Sequence, residues 1–288
     1  MYNKLLKAAF FGTCLCSLSR GALIGNDING VLYDVNQTTG AATNARPTGI
    51  SNLVGIAFNS SGVLYGLSMQ PQTESLYTIN PSTGFSTLIG SSSVSNTFTD
   101  SFVYGDLRFN PASGTLFGVE YQSVPFSTPV PKGFTINPAT GAISNLFNLP
   151  CFNNSCVVDY SALAINSAGQ LYILDTASLD PYGHLIAGSG NPFVSTLNVN
   201  VSGPLGILAG MDFDPATGRL YVADGGTGAG DDLYTLNPSN GNLTLVGSLG
   251  LTNGLAGLAF TPVPEPAAFS LLVLGAAVLF AARKLNRG

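Results

Sequence analysis

The amino-acid sequence predicts an all-β fold of repeated four-stranded antiparallel units, and three observations predict it. The first is the stretch Gly210–Gly247, whose four short alternating runs (MDF, RLYVAD, DLYTLN and LTLV) are separated by two tight turns and one longer loop. The second is that both turns, DPATG and NPSNG, follow one recipe that recurs along the chain. The third is a regular period. Measured on the residue before the first turn of each unit (Phe58, Phe109, Ile165, Phe213, Phe260), the steps are 51, 56, 48 and 47 residues. Four strands at this spacing are the signature of β-propeller blades.

The turn recipe has a simple physical basis. In DPATG and NPSNG proline presets φ at the first corner and glycine supplies φ > 0 at the last, so each of the two reverses the chain between strands. The first turn of the unit recurs as FNSSGVLYG, FNPASGTLFG and INSAGQLYI. The second recurs as LYTINPSTG, GFTINPATG and LYDVNQTTG.

Taken in order, Met1–Ser19 reads as a secretory signal. Lys4 and Lys7 form the positive n-region, and Ala8–Leu18 is an apolar run too short to span a bilayer. Small residues permit cleavage after Ser19, Gly21 or Ala22, and residues 1–21 are assigned to the signal. Phe11-Gly12-Thr13-Cys14 is a poor lipoprotein cleavage run.

The body spans residues 22–262. It opens with half a unit, Ala22–Thr43, which matches the second, third and fourth strands of the Gly210–Gly247 unit. The missing first strand is GLAFTP, Gly257–Pro262. Four continuous blades plus one shared between the two ends predict a five-bladed ring that closes on itself, leaving no open edge between first and last blades. The least regular unit follows Ile165, and Gly183–Ala187 and Phe193–Val199 are expected as its outer strands.

Charge excludes one class of partner. Only Arg46, Arg108, Lys132 and Arg219 face fourteen acids in the body, so nucleic acid is not an expected ligand. The tight turns are nearly identical in every unit and read as structural punctuation. The loops of the opposite face vary, and varied loops on a rigid scaffold are where binding is expected. They carry Asp27, Glu74, Asp175, Asp180, Asp224, Asp231 and Asp232. One reading is a calcium site, with Asp224, Asp231 and Asp232 of DGGTGAGDD as preferred ligands. The other is an acidic solvated surface, since the loop lacks EF-hand spacing.

Catalytic motifs are missing: there is no GxSxG, HExxH or P-loop, and His184 is the single histidine. Asp106, Glu120 and Asp212 are expected on inner strands, where two carboxyls could approach the axis as in a glycosidase. Trp, the commonest sugar platform, is absent, and most of the 11 Tyr and 17 Phe fall at repeated core positions. The preferred reading is a non-catalytic binding or structural propeller. The alternative is a carboxylate-dependent, glycan-active enzyme. Convergent axial carboxyls in a pocket would favour the enzyme, and a filled axis the scaffold. Cys151 and Cys156 bracket FNNS and read as a disulfide of an exported protein, worth roughly 2 kcal/mol for so small a loop; two free thiols are the alternative.

The C-terminal segment, residues 263–288, carries the most specific signal. Val263-Pro264-Glu265-Pro266 precedes an apolar run, Ala267–Ala282, and then Arg283-Lys284-Leu285-Asn286-Arg287. In order and position this closely resembles the PEP-CTERM sorting signal of Gram-negative bacteria. The resemblance implies export across the inner membrane by way of signal peptidase. A transient anchor through helix 267–282 follows, then recognition of Pro264, Glu265 and Pro266 by an exosortase. It also implies a cell-surface or extracellular destination associated with exopolysaccharide and matrix. Elementary physics agrees in part: sixteen apolar residues fall somewhat short of a span of about 30 Å, and the basic cluster would hold the tail in the cytoplasm.

Overall fold

The computed structural model describes residues 21–263, apart from 71–72, 93–102, 123–131, 151–159, 177–182, 191–192, 202, 204, 207 and 226–230. The proposed signal peptide, Cys151 with Cys156, and Pro264, Glu265, Pro266 and helix 267–282 lie outside the described residues.

Among the described residues the chain forms twenty strands and no helix. After β1 (Leu23–Asn26), β2 (Val31–Val35) and β3 (Ala42–Pro47) come four consecutive sets of four. Blade 1 contains β4 (Leu53–Phe58), β5 (Leu64–Gln70), β6 (Thr73–Ile79) and β7 (Ser86–Ser92). Blade 2 contains β8 (Val103–Phe109), β9 (Leu116–Gln122), β10 (Lys132–Ile136) and β11 (Ile143–Asn148). In blade 3, β12 (Tyr160–Ile165) and β13 (Leu171–Asp175) precede β14 (Gly183–Ser189) and β15 (Val194–Val201). The last two strands of blade 3 run two residues further at their ends than the sequence pattern suggested. Blade 4 contains β16 (Leu208–Phe213), β17 (Leu220–Gly225), β18 (Asp232–Leu236) and β19 (Leu243–Ser248). The fifth sheet has the order β20-β1-β2-β3, where β20 is Gly257–Phe260, and Leu23 lies opposite Phe260 in its antiparallel register.

All five sheets are antiparallel meanders, and their first strands pack in a cycle: β4 on β8, β8 on β12, β12 on β16, β16 on β20, and β20 on β4. This is a five-bladed propeller. Its core is divided into five wedges, each filled from two adjacent blades. Val54, Leu67 and Met69 of blade 1 meet Leu107, Leu116 and Phe134 of blade 2 in one wedge. Leu32 and Ala259 of the fifth sheet meet Ile56 and Leu64 of blade 1 in another. The repeated aromatics bridge blades edge to face or tilted. Tyr65 lies 5.2 Å from Phe109, Tyr172 lies 5.1 Å from Phe213, and Tyr221 lies 5.5 Å from Phe260.

Every described tight turn opens on the same side-chain hydrogen bond. The Oδ1 of Asn36, Asn59, Asn80, Asn110, Asn137, Asn166, Asp214 or Asn237 accepts from the N–H two residues on, at 2.8–3.1 Å. These Asx turns mimic a backbone turn and explain why Asn or Asp always precedes the reversal. The closing glycine has a second duty at the outer turns. A Cβ on Gly241 would lie 2.0 Å from the Asn200 carbonyl oxygen of the neighbouring blade, and one on Gly40 would lie 2.2 Å from the Gly247 oxygen.

The outermost strand of each blade is a sheet edge. In all five sheets its pairing with the third strand contains a register shift. Such bulges twist an exposed edge away from pairing with another chain. Asn44 and Asn145 take positive φ there, a conformation that Asn tolerates better than most residues.

Candidate functional site

The innermost strand of each blade has a partner on one side only. The N–H and C=O groups of its other edge face the ring axis, and buried ones need partners. Two residues before the pre-turn residue of each inner strand stand Ile56, Leu107, Leu163, Met211 and Leu258, every one of them 0 % exposed. Bulk water cannot serve their backbone groups.

One side chain does much of this work. Arg108 on β8 is itself buried, and its guanidinium reaches all four other blades. Nε–H donates to Leu163 O at 3.2 Å and Nη1 to Ile56 O at 3.2 Å. Nη2 donates to Met211 O and to Leu258 O, both at 2.7 Å. Arginine carries five N–H donors and no acceptor, which matches a ring of carbonyls.

Two carboxylates serve the N–H groups in the complementary way. Asp106 accepts from Leu107 N at Oδ1, 2.8 Å, and from Leu163 N at Oδ2, 3.0 Å. Asp212 accepts from Phe213 N at Oδ1, 2.9 Å, and from Phe260 N at Oδ2, 2.8 Å. Each aspartate therefore ties its own inner strand to the next one around the ring. Both also face the guanidinium: Nη2 is 3.5 Å from Asp106 Oδ2, and Nη1 is 3.3 Å from Asp212 Oδ2. Burial pushes the Asp106 carboxyl up to about 8, against the opposing pull of Arg108 and the two N–H bonds. Burial raises Asp212 as well.

Small residues elsewhere make room for this cluster. The positions equivalent to Arg108 and Asp212 are Ala57, Ala164 and Ala259, and those equivalent to Asp106 are Gly55, Ala162, Gly210 and Gly257. A Cβ on Gly55 would lie 2.1 Å from Asp106 Oδ1, and one on Gly210 would lie 2.6 Å from Gly257 Cα.

The sequence reading is corrected at two points here. Glu120 lies on β9, a second strand, and not on an inner strand. Asp106 and Asp212 do reach the axis, but both oxygens of each are engaged by backbone N–H groups beside a resident guanidinium. Arg108 itself was missed as an axial residue, although one signal was available: an arginine at a position held by alanine in three of the other four blades.

On the varied loop face the acids have different fates. Asp27, Ser68, Glu120, Asp175 and Asp224 occupy one equivalent position, four residues beyond the first Leu of each second strand, and all are buried. In blades 1 and 4 this residue fastens the link that enters the inner strand. Ser68 Oγ donates to Ser51 O at 2.6 Å, and Asp224 Oδ1 accepts from Gly206 N at 2.5 Å. In the fifth sheet Asp27 Oδ1 instead accepts from Val31 N, across the loop that follows, at 2.9 Å. The expectation of a solvated acidic surface therefore fails for Asp27, Glu74, Asp175 and Asp224, each with less than a tenth of its surface exposed. Counting along the second strands would have exposed the series.

Asp224 is pushed up to about 7, chiefly by burial, with the charges of Asp232 and Asp231 adding to the shift. Asp231 and Asp232 are half-buried, and Asp232 Oδ2 accepts from Tyr234 Oη at 3.2 Å. Among the described residues, no three His, Cys, Asp or Glu side chains are grouped closely enough to hold a metal ion. His184 stands beside Asp175, Nδ1 to Oδ2 4.0 Å, at the end of β13. A shallow surface depression lies on the opposite, turn face, lined by Arg219, Thr235, Asn237 and Thr244.

No protein-family model matches the sequence, and no curated protein matches it. Solved structures do resemble the fold. A chain of a nidogen/laminin complex is 13 % identical, with a TM-score of 0.50 over 84 % of this chain and 98 % of that one. A proposed 6-phosphogluconolactonase of Bacteroides fragilis is 13 % identical, with a TM-score of 0.42 over 80 % and 81 %. The Dos1 propeller is 12 % identical, with a TM-score of 0.39 over 82 % and 58 %. At these identities the likeness is one of fold alone.

Proposed function

We propose that this chain is an exported, surface-sorted propeller that binds or displays rather than catalyses. The observation that carries the non-catalytic half is Arg108, whose guanidinium occupies the axis and bonds to carbonyls of the four other blades. A propeller glycosidase needs one carboxyl free to donate a proton and another free to attack or to activate water. Here both oxygens of each axial carboxyl group accept backbone N–H bonds and the pair faces a fixed cation, which leaves neither group open to a substrate.

The sorting half rests on the sequence. A signal peptide within residues 1–21 and a C-terminal segment resembling a PEP-CTERM signal imply handling by signal peptidase and then by an exosortase. The chain is held at the inner membrane by helix 267–282 until released. The expected ligand is an exopolysaccharide or surface glycan, met on the varied loop face.

Changing Pro264, Glu265 and Pro266 together to alanine tests the sorting. Export should persist while the variant accumulates in the inner-membrane fraction. Release at the parent rate would leave an ordinary anchor. A polysaccharide-binding screen of the released protein, with calcium and with chelator, tests the binding half. Turnover of a glycan in that screen would restore the enzyme reading.

A further inference from the structure

The two ends of the described chain leave the ring side by side. Ala22 N donates to Thr261 Oγ1 at 2.8 Å, and Thr261 N donates to Ala22 O at 2.9 Å. Gln37 Nε2 also donates to Gly21 O at 2.6 Å. These residues stand between β20 and β1, where the other four blades have their first tight turn. Both ends therefore exit on the turn face, and the chain runs from its last ring hydrogen bond at Thr261 to Ala267, the first residue of the proposed anchor, in six residues. Six extended residues reach at most about 20 Å, and three of them are proline, which stiffens the link. A flexible tether would need a longer reach to let the ring tumble.

The chemistry of that face agrees. The eight Asx turns among the described residues contain a single acid, Asp214, which is buried, and the exposed cation Arg219 follows it. Phe85, 73 % exposed, stands at the end of the β6–β7 turn, and an exposed apolar ring gains by burial at the headgroup–acyl boundary, as phenylalanines of interfacial helices do. The acids Asp231 and Asp232 lie on the opposite face, turned away from anionic headgroups such as phosphatidylglycerol, whose like charge would repel them.

We propose that, while the C-terminal helix holds the chain, the ring sits with its turn face against the lipid headgroups and its varied loops facing outward. This rests on the sorting reading above, which supplies the anchor. It adds the docking surface and its partner, a phospholipid bilayer. The geometry also requires any protease acting at Pro264–Pro266 to work in contact with the turn face.

The test uses the full chain carrying its C-terminal segment, with native cysteines changed to serine, in phosphatidylethanolamine–phosphatidylglycerol vesicles. A fluorophore is placed at Ser113→Cys on the turn face or at Gln70→Cys at the loop end of β5. These sites are separated by roughly the 20 Å length of a six-residue strand. Quenching by a headgroup nitroxide should be severalfold stronger at position 113. Inserting a twelve-residue Gly-Ser linker after Pro262 should abolish the difference. Hydrogen exchange on the unlabelled parent, whose cysteines are intact, should show the turn amides protected in vesicles and not in the released protein. Equal quenching in a chain that floats with the vesicles, or a difference that survives the linker, overturns the docking proposal alone. A chain that does not float overturns the anchor, and the docking falls with it.

Discussion

Arg108 and Leu258 are 150 residues apart in the chain, and the guanidinium of one donates to the carbonyl of the other at 2.7 Å. The contact joins the second blade to the sheet that holds both chain ends. Three similar bonds from the same group reach blades 1, 3 and 4. A propeller has no single central core, only wedges between blades, so a hub at the axis couples all five sheets at once.

Arg108→Met should therefore cost roughly 3–5 kcal/mol, the usual penalty for removing one partner of a buried ion cluster. It leaves four buried carbonyls without their donor and removes the cation that faces the buried carboxyl groups of Asp106 and Asp212. Urea denaturation measures the loss. A change below about 1 kcal/mol, the size expected of an exposed ion pair, would mean that the hub carries little of the stability.

Asp106 and Asp224 are raised by burial from 3.8 to about 8 and about 7. The folded chain thus keeps protons that the unfolded chain releases. Their stabilising contribution is full below about pH 4, falls as the pH rises, and is lost above about pH 8. The melting temperature should decline between these limits. Asp224→Asn should be less stable than the parent at the acid end and gain on it at the alkaline end. Profiles that stay parallel would remove Asp224 as a titrating group.

Glycines of two kinds should respond differently to alanine. Gly114 has φ +71° with open space around it, so Gly114→Ala should cost about 1 kcal/mol from backbone strain alone. Gly241 has φ +73° and also the Asn200 oxygen 2.0 Å from where a Cβ would stand. Gly241→Ala should cost roughly 1–3 kcal/mol more, because the blades must separate. Equal melting temperatures for the two variants would deny the inter-blade role.

Trimming the released protein to begin at Val31 removes β1, which lies between β20 and β2. It leaves β20 without its sheet neighbour and takes away the Asn26 amide that donates to Leu53 O at 2.7 Å. The trimmed chain should melt far below the parent or fail to fold. An unchanged melting temperature would show that the fifth sheet does not need its N-terminal strand.

What the sequence determined by itself was the repeated unit: its turns, the number of blades and the face on which the turns lie. Those features are local. An Asx turn such as Asn237–Gly241 depends on the side chains of a few consecutive residues, and alternation along β17 depends on a period of two. The tertiary structure alone decided what the charges do. Arg108 finds its partners at Ile56, Leu163, Met211 and Leu258, and it bonds to their backbone carbonyls, which every residue possesses, so no residue type marks them in the sequence. Asp224, Asp231 and Asp232 look alike as neighbours in the chain. The direction of β17 nevertheless buries Asp224 against Gly206, while Asp231 and Asp232 stay partly open to water. Ring closure sets that difference, because only packing between blades determines which end of a strand is cut off from solvent and which backbone groups are left to be satisfied.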